Sequence, residues 1–385
     1  MKKAFLSTVL LPFLFACYGE YTMEYAGSRT KLFRRGKEVD FMQCAVEQLR
    51  RYPESEIRDL VKLAYQAACG PAHGVADRER AWRYFSREFA AVGTEDDVPL
   101  FEVISPDFCR VNLGAWKKAG LPEKWLFNMF CASAENLPDS QKVFDNYISC
   151  LGKLSGKRKG KLDEFMKQYR GGAVHHSAHY CKKYRPSYRL VNIRFITAFP
   201  VLLAAAEMPE KNVSVITVDG RSASGKTTLA RQLAQILDAE VIHMDDFFLP
   251  QELRTPSRLS EPGGNVHYER FKTEVLPHLK QKAAFAYQCF DCSKMQPGRM
   301  RNIPASRWRI VEGAYSLHPV FGGYADLKVF FDISAEEQIK RIRKRNGEQK
   351  AAVFAKRWIP MEEKYIRAFD IKSKADMVIG NQAGR

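Results

Sequence analysis

The 385-residue chain has no uninterrupted apolar stretch approaching ~18 residues, which excludes a polytopic membrane protein. It has no low-complexity tract, no collagen-like period and no block of like charge long enough to be a tail. Hydrophobic residues make up 45% and charged residues 27%, so a mainly disordered chain is excluded too. There are nine cysteines, an odd number, scattered from Cys17 to Cys292, and that excludes a dense disulfide scaffold. Reduced thiols fit the cytosol. The one Cys-x-x-Cys, Cys289 to Cys292, lacks the second Cys or His pair that a zinc site needs. What is abundant is positive charge: 61 basic against 44 acidic residues, net +17. That excess suits polyanionic partners, whether nucleotides, nucleic acid or anionic membrane. Its densest run, Lys153 to Lys161, has no interleaved aromatics for base stacking and reads as a solvated loop.

The length predicts two to three domains, at ~150 residues each. Residues 1–17 begin with Lys2 and Lys3, continue through the apolar Ala4 to Ala16, and end in Leu14-Phe15-Ala16-Cys17. They look like a secretory signal with a lipoprotein-type cleavage site, although Phe15 fits that site poorly. An over-extended start is the other reading. Gly36-Lys37-Glu38 can be encoded by a purine-rich stretch upstream of Met42, and residues 18–41 show no clear hydrophobic periodicity. Residues 1–41 are therefore expected to be a leader, with the working chain beginning near Met42 in the cytoplasm. An exported lipoprotein is the alternative, and the membrane is a partner only in that case.

Residues 42–208 read as a mainly helical domain. Ile57, Leu60, Val61, Ala64 and Ala68 fall at helical spacing, and Gly70 with Pro71 ends that helix. Arg78 to Ala90, Glu123 to Phe130, Asp139 to Leu151 and Leu162 to Tyr169 are further helices. Tyr188 to Met208 is apolar and helix-like, with a kink or break expected at Pro200. His175, His176 and His179 cluster within five residues. His176 and His179 share one face of a helical turn, and with His73 they offer three nitrogen ligands to a metal. Arg185 and Arg189 nearby suit an anionic group. The competing reading is that these histidines cap helices and bond to backbone.

Residues 209–385 are more explicit. Val213 to Val218 is a strand-like apolar run. Gly220-Arg221-Ser222-Ala223-Ser224-Gly225-Lys226-Thr227 follows, then Thr228 and an amphipathic helix. Strand, glycine loop and helix in that order make a phosphate-binding loop. Its backbone N–H groups and the helix N-terminus face phosphate oxygens, Lys226 reaches the β- and γ-phosphates, and Thr227 ligates magnesium. Four more strands are expected at Val241 to Met244, Trp308 to Val311, Leu327 to Asp332 and Ala375 to Ile379. Alternating with helices, they predict an α/β fold with a five-stranded parallel sheet. Asp245, Asp246 and Glu312 then fall at strand carboxyl ends, where ligands bind. Asp245 is placed to accept a proton from an attacking hydroxyl, and Asp245 and Glu312 to hold the metal. Arg341 and Arg345, four apart on a basic helix, are placed to stabilise transition-state charge.

The segments VDGRSASGKTT (218–228), HMDDFF (243–248), Tyr268-Glu269-Arg270-Phe271, VEG (311–313) and the basic helix after DISAEEQ (332–338) resemble the uridine kinase-like branch of P-loop kinases, which includes phosphoribulokinase and pantothenate kinase. The resemblance covers somewhat under half the chain. It implies ATP- and Mg2+-dependent phosphorylation of a small-molecule hydroxyl, with a nucleoside such as uridine as acceptor. It implies Asp245 as the catalytic acid, and it places Gly264 to Arg270 and Tyr287 to Asp291 at the acceptor pocket. Asp246, His267, Tyr268, Arg270, Tyr287 and Asp291 are the acceptor-binding candidates. Family uridine kinases carry a histidine-containing loop where this chain has Phe290-Asp291-Cys292. Residues 42–208 resemble an uncharacterised bacterial domain found beside kinase domains, which implies no activity. Two rival readings remain. One is a polynucleotide or RNA kinase that grips a phosphate backbone. The other is an ATP-binding regulatory module with metal chemistry in the first domain.

Overall fold

A computed structural model describes residues 18–25, 28–35, 40–71, 74–95, 98–135, 140–154, 159–291 and 294–381. The chain forms two compact units, one built chiefly on residues 33–199 and the other on 20–32 and 200–385. Two strands, β1 (Tyr18–Tyr25) and β2 (Ser28–Arg35), come first. They lie in the stretch for which no clear periodicity is expected. β1 adds antiparallel to the last strand of the second unit, with Thr22 opposite Gly380 and Met23 opposite Ile379. The expectation of no periodicity is corrected for β1, where Tyr21, Met23 and Tyr25 alternate with Glu20, Thr22 and Glu24 as in a strand. The signal-like residues 1–17 lie outside the described residues.

The first unit continues with α1 (Phe41–Arg51), α2 (Ile57–Cys69) and α3 (Arg78–Ala91). Strands β3 (Phe101–Val103) and β4 (Phe108–Asn112) follow. Then come α4 (Leu113–Lys118), α5 (Glu123–Ala132), α6 (Ser140–Leu154), α7 (Lys159–Gln168) and α8 (Ala178–Tyr184). Its core gathers Leu60, Val61, Leu63, Ala64 and Ala67 of α2 around Phe41, Phe108, Phe144, Leu151 and Leu162. The expected helix at Tyr188 to Met208 is corrected. Tyr188–Asn192 is strand β5, which pairs antiparallel with β4, and β4 pairs with β3. Asn192 caps the turn that follows by accepting from Arg194 N at 3.0 Å. Helix α9 (Phe199–Glu207) begins only after it. Pro200 thus sits in the first turn of α9, where a missing N–H costs nothing, just after the 3-10 turn Ile193–Ala198 gives way to the α-helix.

The second unit contains β6 (Ser214–Gly220), α10 (Lys226–Leu237), β7 (Glu240–His243) and α11 (Tyr268–Glu274). A hairpin of β8 (Phe285–Asp291) and β9 (Gln296–Ile303) precedes β10 (Trp308–Glu312) and β11 (Leu327–Ile333). Helices α12 (Ala335–Asn346) and α13 (Ile359–Ala368) and strand β12 (Met377–Asn381) complete it. The sheet order is β2-β1-β12-β11-β6-β10-β7. The five strands from β12 to β7 run parallel, as the apolar runs predict. Every residue of β6 and β10 is buried, as expected for strands covered on both faces. Register aligns Glu312 with both Val218 and His243, so the carboxyl ends of β6, β10 and β7 lie side by side. Among the described residues no helix is long and apolar enough to cross a membrane.

Candidate active site

The loop between β6 and α10 is shaped by close approach. Gly220 has φ +138°, and a Cβ there would lie 2.1 Å from the Phe331 carbonyl oxygen of β11. Ala223 at φ 58° and Gly225 at φ +117° turn the chain so that α10 starts at Lys226. Beneath the loop, buried Asp219 accepts from Gly220 N at 2.6 Å, Leu317 N at 2.9 Å and the Tyr365 hydroxyl at 2.7 Å. Burial pushes its pKa up to about 6 against the pull of these donors. Arg221 points out of the loop into ion pairs with Asp332 and with Glu363, the latter at 2.5 Å. Glu362 of α13 accepts from Ser222 N at 3.0 Å and from its hydroxyl.

A cleft of about 510 Å³ opens over the loop. Ser222, Ala223, Gly225, Lys226, Thr227 and Thr228 form its floor, and Asp245, Glu312, Arg341 and Arg345 face it. Lys226 Nζ donates to the Arg221 carbonyl at 2.8 Å, across the mouth of the loop. The Thr227 hydroxyl donates to the Glu312 carboxylate at 3.2 Å. His243 Nδ1 contacts Glu312 Oε1 at 2.5 Å and fixes that carboxylate from behind. Hydroxyl and carboxylate oxygens are the hard donors that Mg2+ takes, and the ion usually draws its remaining ligands from phosphate and water. Asp245 meets the solvent of the cleft with protein on its other sides. That enclosure raises its pKa above the ordinary carboxylate range. Glu312 adds to the rise, while Lys226 and His243 oppose it.

Arg341 is held at the loop by Glu337 at 2.8 Å and by the Ser224 carbonyl at 3.1 Å. Its Nη2 is buried without a hydrogen-bond partner among the described residues, and so is the Ser224 hydroxyl. Unpaired buried donors beside a glycine loop are what an anionic ligand satisfies. On the far side, Asn265 is buried with Oδ1 unpaired, and it lines the cleft with Arg254, Phe248 and Trp358.

The acceptor candidates are distributed differently. None of Asp246, His267, Tyr268, Arg270, Tyr287 or Asp291 lines this cleft. Asp246 turns toward the hairpin, where it accepts from the Tyr287 hydroxyl at 2.8 Å with Arg301 at 3.7 Å. Arg270 is clamped by Glu274 at 2.7 Å and donates to the Gln288 carbonyl. His267 contacts Glu269 at 3.1 Å, Tyr268 donates to Glu261 at 3.0 Å under Arg258, and Asp291 accepts from Lys294 N. The segment Gly264 to Arg270 does reach the cleft, but through Asn265. Asn265 lies in the segment that the resemblance placed at the acceptor pocket, and Asp219 and His243 lie in its motifs, but none of the three was singled out, and Glu362 was not identified from sequence. Their partners lie far along the chain, and a short-range pattern does not register them.

In the first unit, His73 lies outside the described residues. His176 bridges Asp59 at 2.9 Å and the Tyr188 hydroxyl at 2.8 Å, and exposed His179 contacts Glu54 at 2.7 Å. Among the described residues no group of His, Cys, Asp and Glu is placed to hold a metal ion. The Cys-x-x-Cys is described only at Cys289, a free thiol bonded to Asp246.

The glycine loop after the central strand, the five-stranded parallel sheet and the acids at its carboxyl edge define the second unit as an α/β fold with a phosphate-binding loop. No protein-family model and no curated protein matches the chain. Among solved structures it is similar to a protein described as a possible uridine kinase from Bacillus stearothermophilus. The identity is 21%, the match covers 48% of this chain and 96% of that one, and the TM-score is 0.36. It is similar also to a protein assigned as a fructose transport system kinase from Silicibacter sp., at 22% identity over 46% of this chain and 94% of that one, TM-score 0.37. The third is D-glycerate 3-kinase from Cryptococcus neoformans, at 13% identity over 44% and 85%, TM-score 0.33.

Proposed function

We propose that the second unit transfers a phosphoryl group from ATP, with Mg2+, to a hydroxyl of a small molecule, and that the acceptor is a nucleoside such as uridine. The observation that carries this reading is the convergence of Lys226, Thr227, Glu312, Asp245 and Arg341 on one cleft. The loop N–H groups and Lys226 bind and orient the phosphates. Thr227 and Glu312 are the residues that would hold Mg2+, which when bound neutralises charge on the triphosphate. Asp245 orients the acceptor hydroxyl and takes its proton on a carboxylate oxygen. Arg341 offers Nη2 to the charge that builds on the transferring group. The rings of Phe248 and Trp358 favour a nucleobase at the acceptor end and keep water from the reacting atoms. An ATP-consuming reaction of this kind belongs in the cytoplasm.

The test is Mg2+-dependent ADP release with nucleosides, pantothenate, sugar phosphates, glycerate and short RNA as acceptors. A nucleoside should stimulate turnover most. Stimulation by RNA alone, with steep salt dependence, would move the assignment to a polynucleotide kinase.

A further inference from the structure

The first unit has its own polar constellation. Asp59, Lys62 and Gln66 stand on one face of α2 at helical spacing. Asp59 is fully buried and accepts from Ser177 N at 2.9 Å, the Ser177 hydroxyl at 2.8 Å, Glu56 N at 2.9 Å and His176 Nδ1 at 2.9 Å. Burial works to raise its pKa, but these donors outweigh it and hold the carboxyl below its usual range. Burial lowers His176 to about 4, so its ring is neutral. Beside an ionised Asp59 the ring proton sits on Nδ1, which leaves Nε2 to accept the Tyr188 O–H. Arg110 donates twice to Gln66 Oε1, at 3.1 and 2.7 Å, so Gln66 turns Nε2 toward the Tyr188 oxygen at 3.0 Å. Tyr188 is thereby fixed as donor to His176 and acceptor from Gln66.

The charges around this network are paired. Arg110 meets Glu102 at 3.1 Å, and Arg189 meets Glu88 at 2.6 Å. Lys62 differs: it makes no hydrogen bond or ion pair among the described residues. It faces a cleft of about 360 Å³ whose walls include Phe130, Pro71, Pro186 and Leu190, with His175 and Arg189 among the lining residues. Burial and then Arg110 lower its pKa to about 8, against Cys181 and Asp59. At pH 7 roughly nine-tenths of it is still an ammonium, so it is better suited to ion pairing than to nucleophilic attack. A partly desolvated cation with no carboxylate in ion-pair contact is unfavourable, since Asp59 acts on it only at longer range, and an anion in the cleft relieves it.

We propose that this cleft is a second ligand site, which binds a small organic anion with its carboxylate or phosphate on Lys62 and its apolar body against Phe130 and Leu190. Its volume falls within the ~300–1,000 Å³ of small-molecule sites. The site stands independently of the kinase reading, because every group it uses lies in the first unit.

The test uses the full chain and reads Lys62 itself. A short acetic anhydride pulse at pH 8 is followed by peptide mass spectrometry, with exposed Lys182 and Lys183 as internal controls. Benzoate and phenyl phosphate are the anionic probes, and benzamide is the neutral isostere. At roughly 10 mM, at least one anion should slow Lys62 acetylation about tenfold relative to benzamide, as a millimolar Kd implies, and leave the controls unchanged. Which anion protects decides between carboxylate and phosphate. Protection should fade between pH 7 and 9.5 as Lys62 loses its proton. Equal effects of benzamide, or no protection by either anion, would overturn the proposal. Lys62→Met should abolish any rise in melting temperature caused by the protecting anion, whereas Lys62→Arg should keep it. Should Lys62→Met fail to fold, the labelling result decides alone.

Discussion

Asn265 holds a buried amide whose Oδ1 has no partner among the described residues and which lines the cleft with Asp245. A buried acceptor left unpaired costs ~1–3 kcal/mol, and an O–H or N–H of the bound acceptor molecule recovers it. Asn265→Ala should therefore raise the KM for the acceptor by about 5- to 100-fold, as that energy implies, with the KM for ATP unchanged. Steady-state kinetics with each substrate varied in turn would check this. Equal changes in both constants would assign Asn265 to the shape of the cleft and not to the acceptor. At this scale, legibility in the sequence followed chain distance. Lys226, Thr227, Asp245 and Glu312 stand in short motifs whose chemistry demands those residue types, and all four meet at the cleft. Asn265 and His243 owe their places to folding, since His243 reaches Glu312 across 69 residues. The acceptor candidates from Asp246 to Asp291 were sited by resemblance, and the hairpin and α11 hold them in contacts of their own.

At the scale of elements, the loop between β6 and α10 depends on β11 coming very close. Gly220→Ala would set a Cβ against the backbone of Phe331, which the parallel sheet fixes, and should cost more than ~3 kcal/mol. Gly225→Ala meets only the Phe331 ring at 3.6 Å and should pay chiefly the left-handed backbone penalty of ~1–2 kcal/mol. Thermal melts of the two variants should separate them in that order, and equal losses would contradict the close-approach account. The five parallel strands were legible because a strand buried on both faces is an unbroken apolar run. β5 was not, because its YRLVN runs into Ile193 to Met208 and the whole segment reads as one apolar helix. β1 was missed although Tyr21, Met23 and Tyr25 alternate with Glu20, Thr22 and Glu24, because that short signal is submerged in a stretch that reads as a leader.

At the scale of the whole molecule, the first unit holds a buried histidine that makes its stability sensitive to acid. His176 is folded neutral with a pKa of about 4 and would unfold to about 6.5. Between these values the unfolded chain binds a proton that the folded chain does not, so stability falls as pH drops from 6.5 toward 4. The loss from this group is on the order of 3 kcal/mol. His176→Gln should flatten the first unit's melting curve against pH over that window, and an unchanged slope would place the acid sensitivity elsewhere. The central claim is phosphoryl transfer in the second unit, and Asp245→Asn tests it most directly. ATP binding and acceptor-stimulated ADP release would be measured on the same full-length protein. The account predicts that Asp245→Asn binds ATP within a few-fold of the parent and loses acceptor-stimulated release by at least ~100-fold, the scale of a positioned general base. Release that persists undiminished in the variant would contradict it.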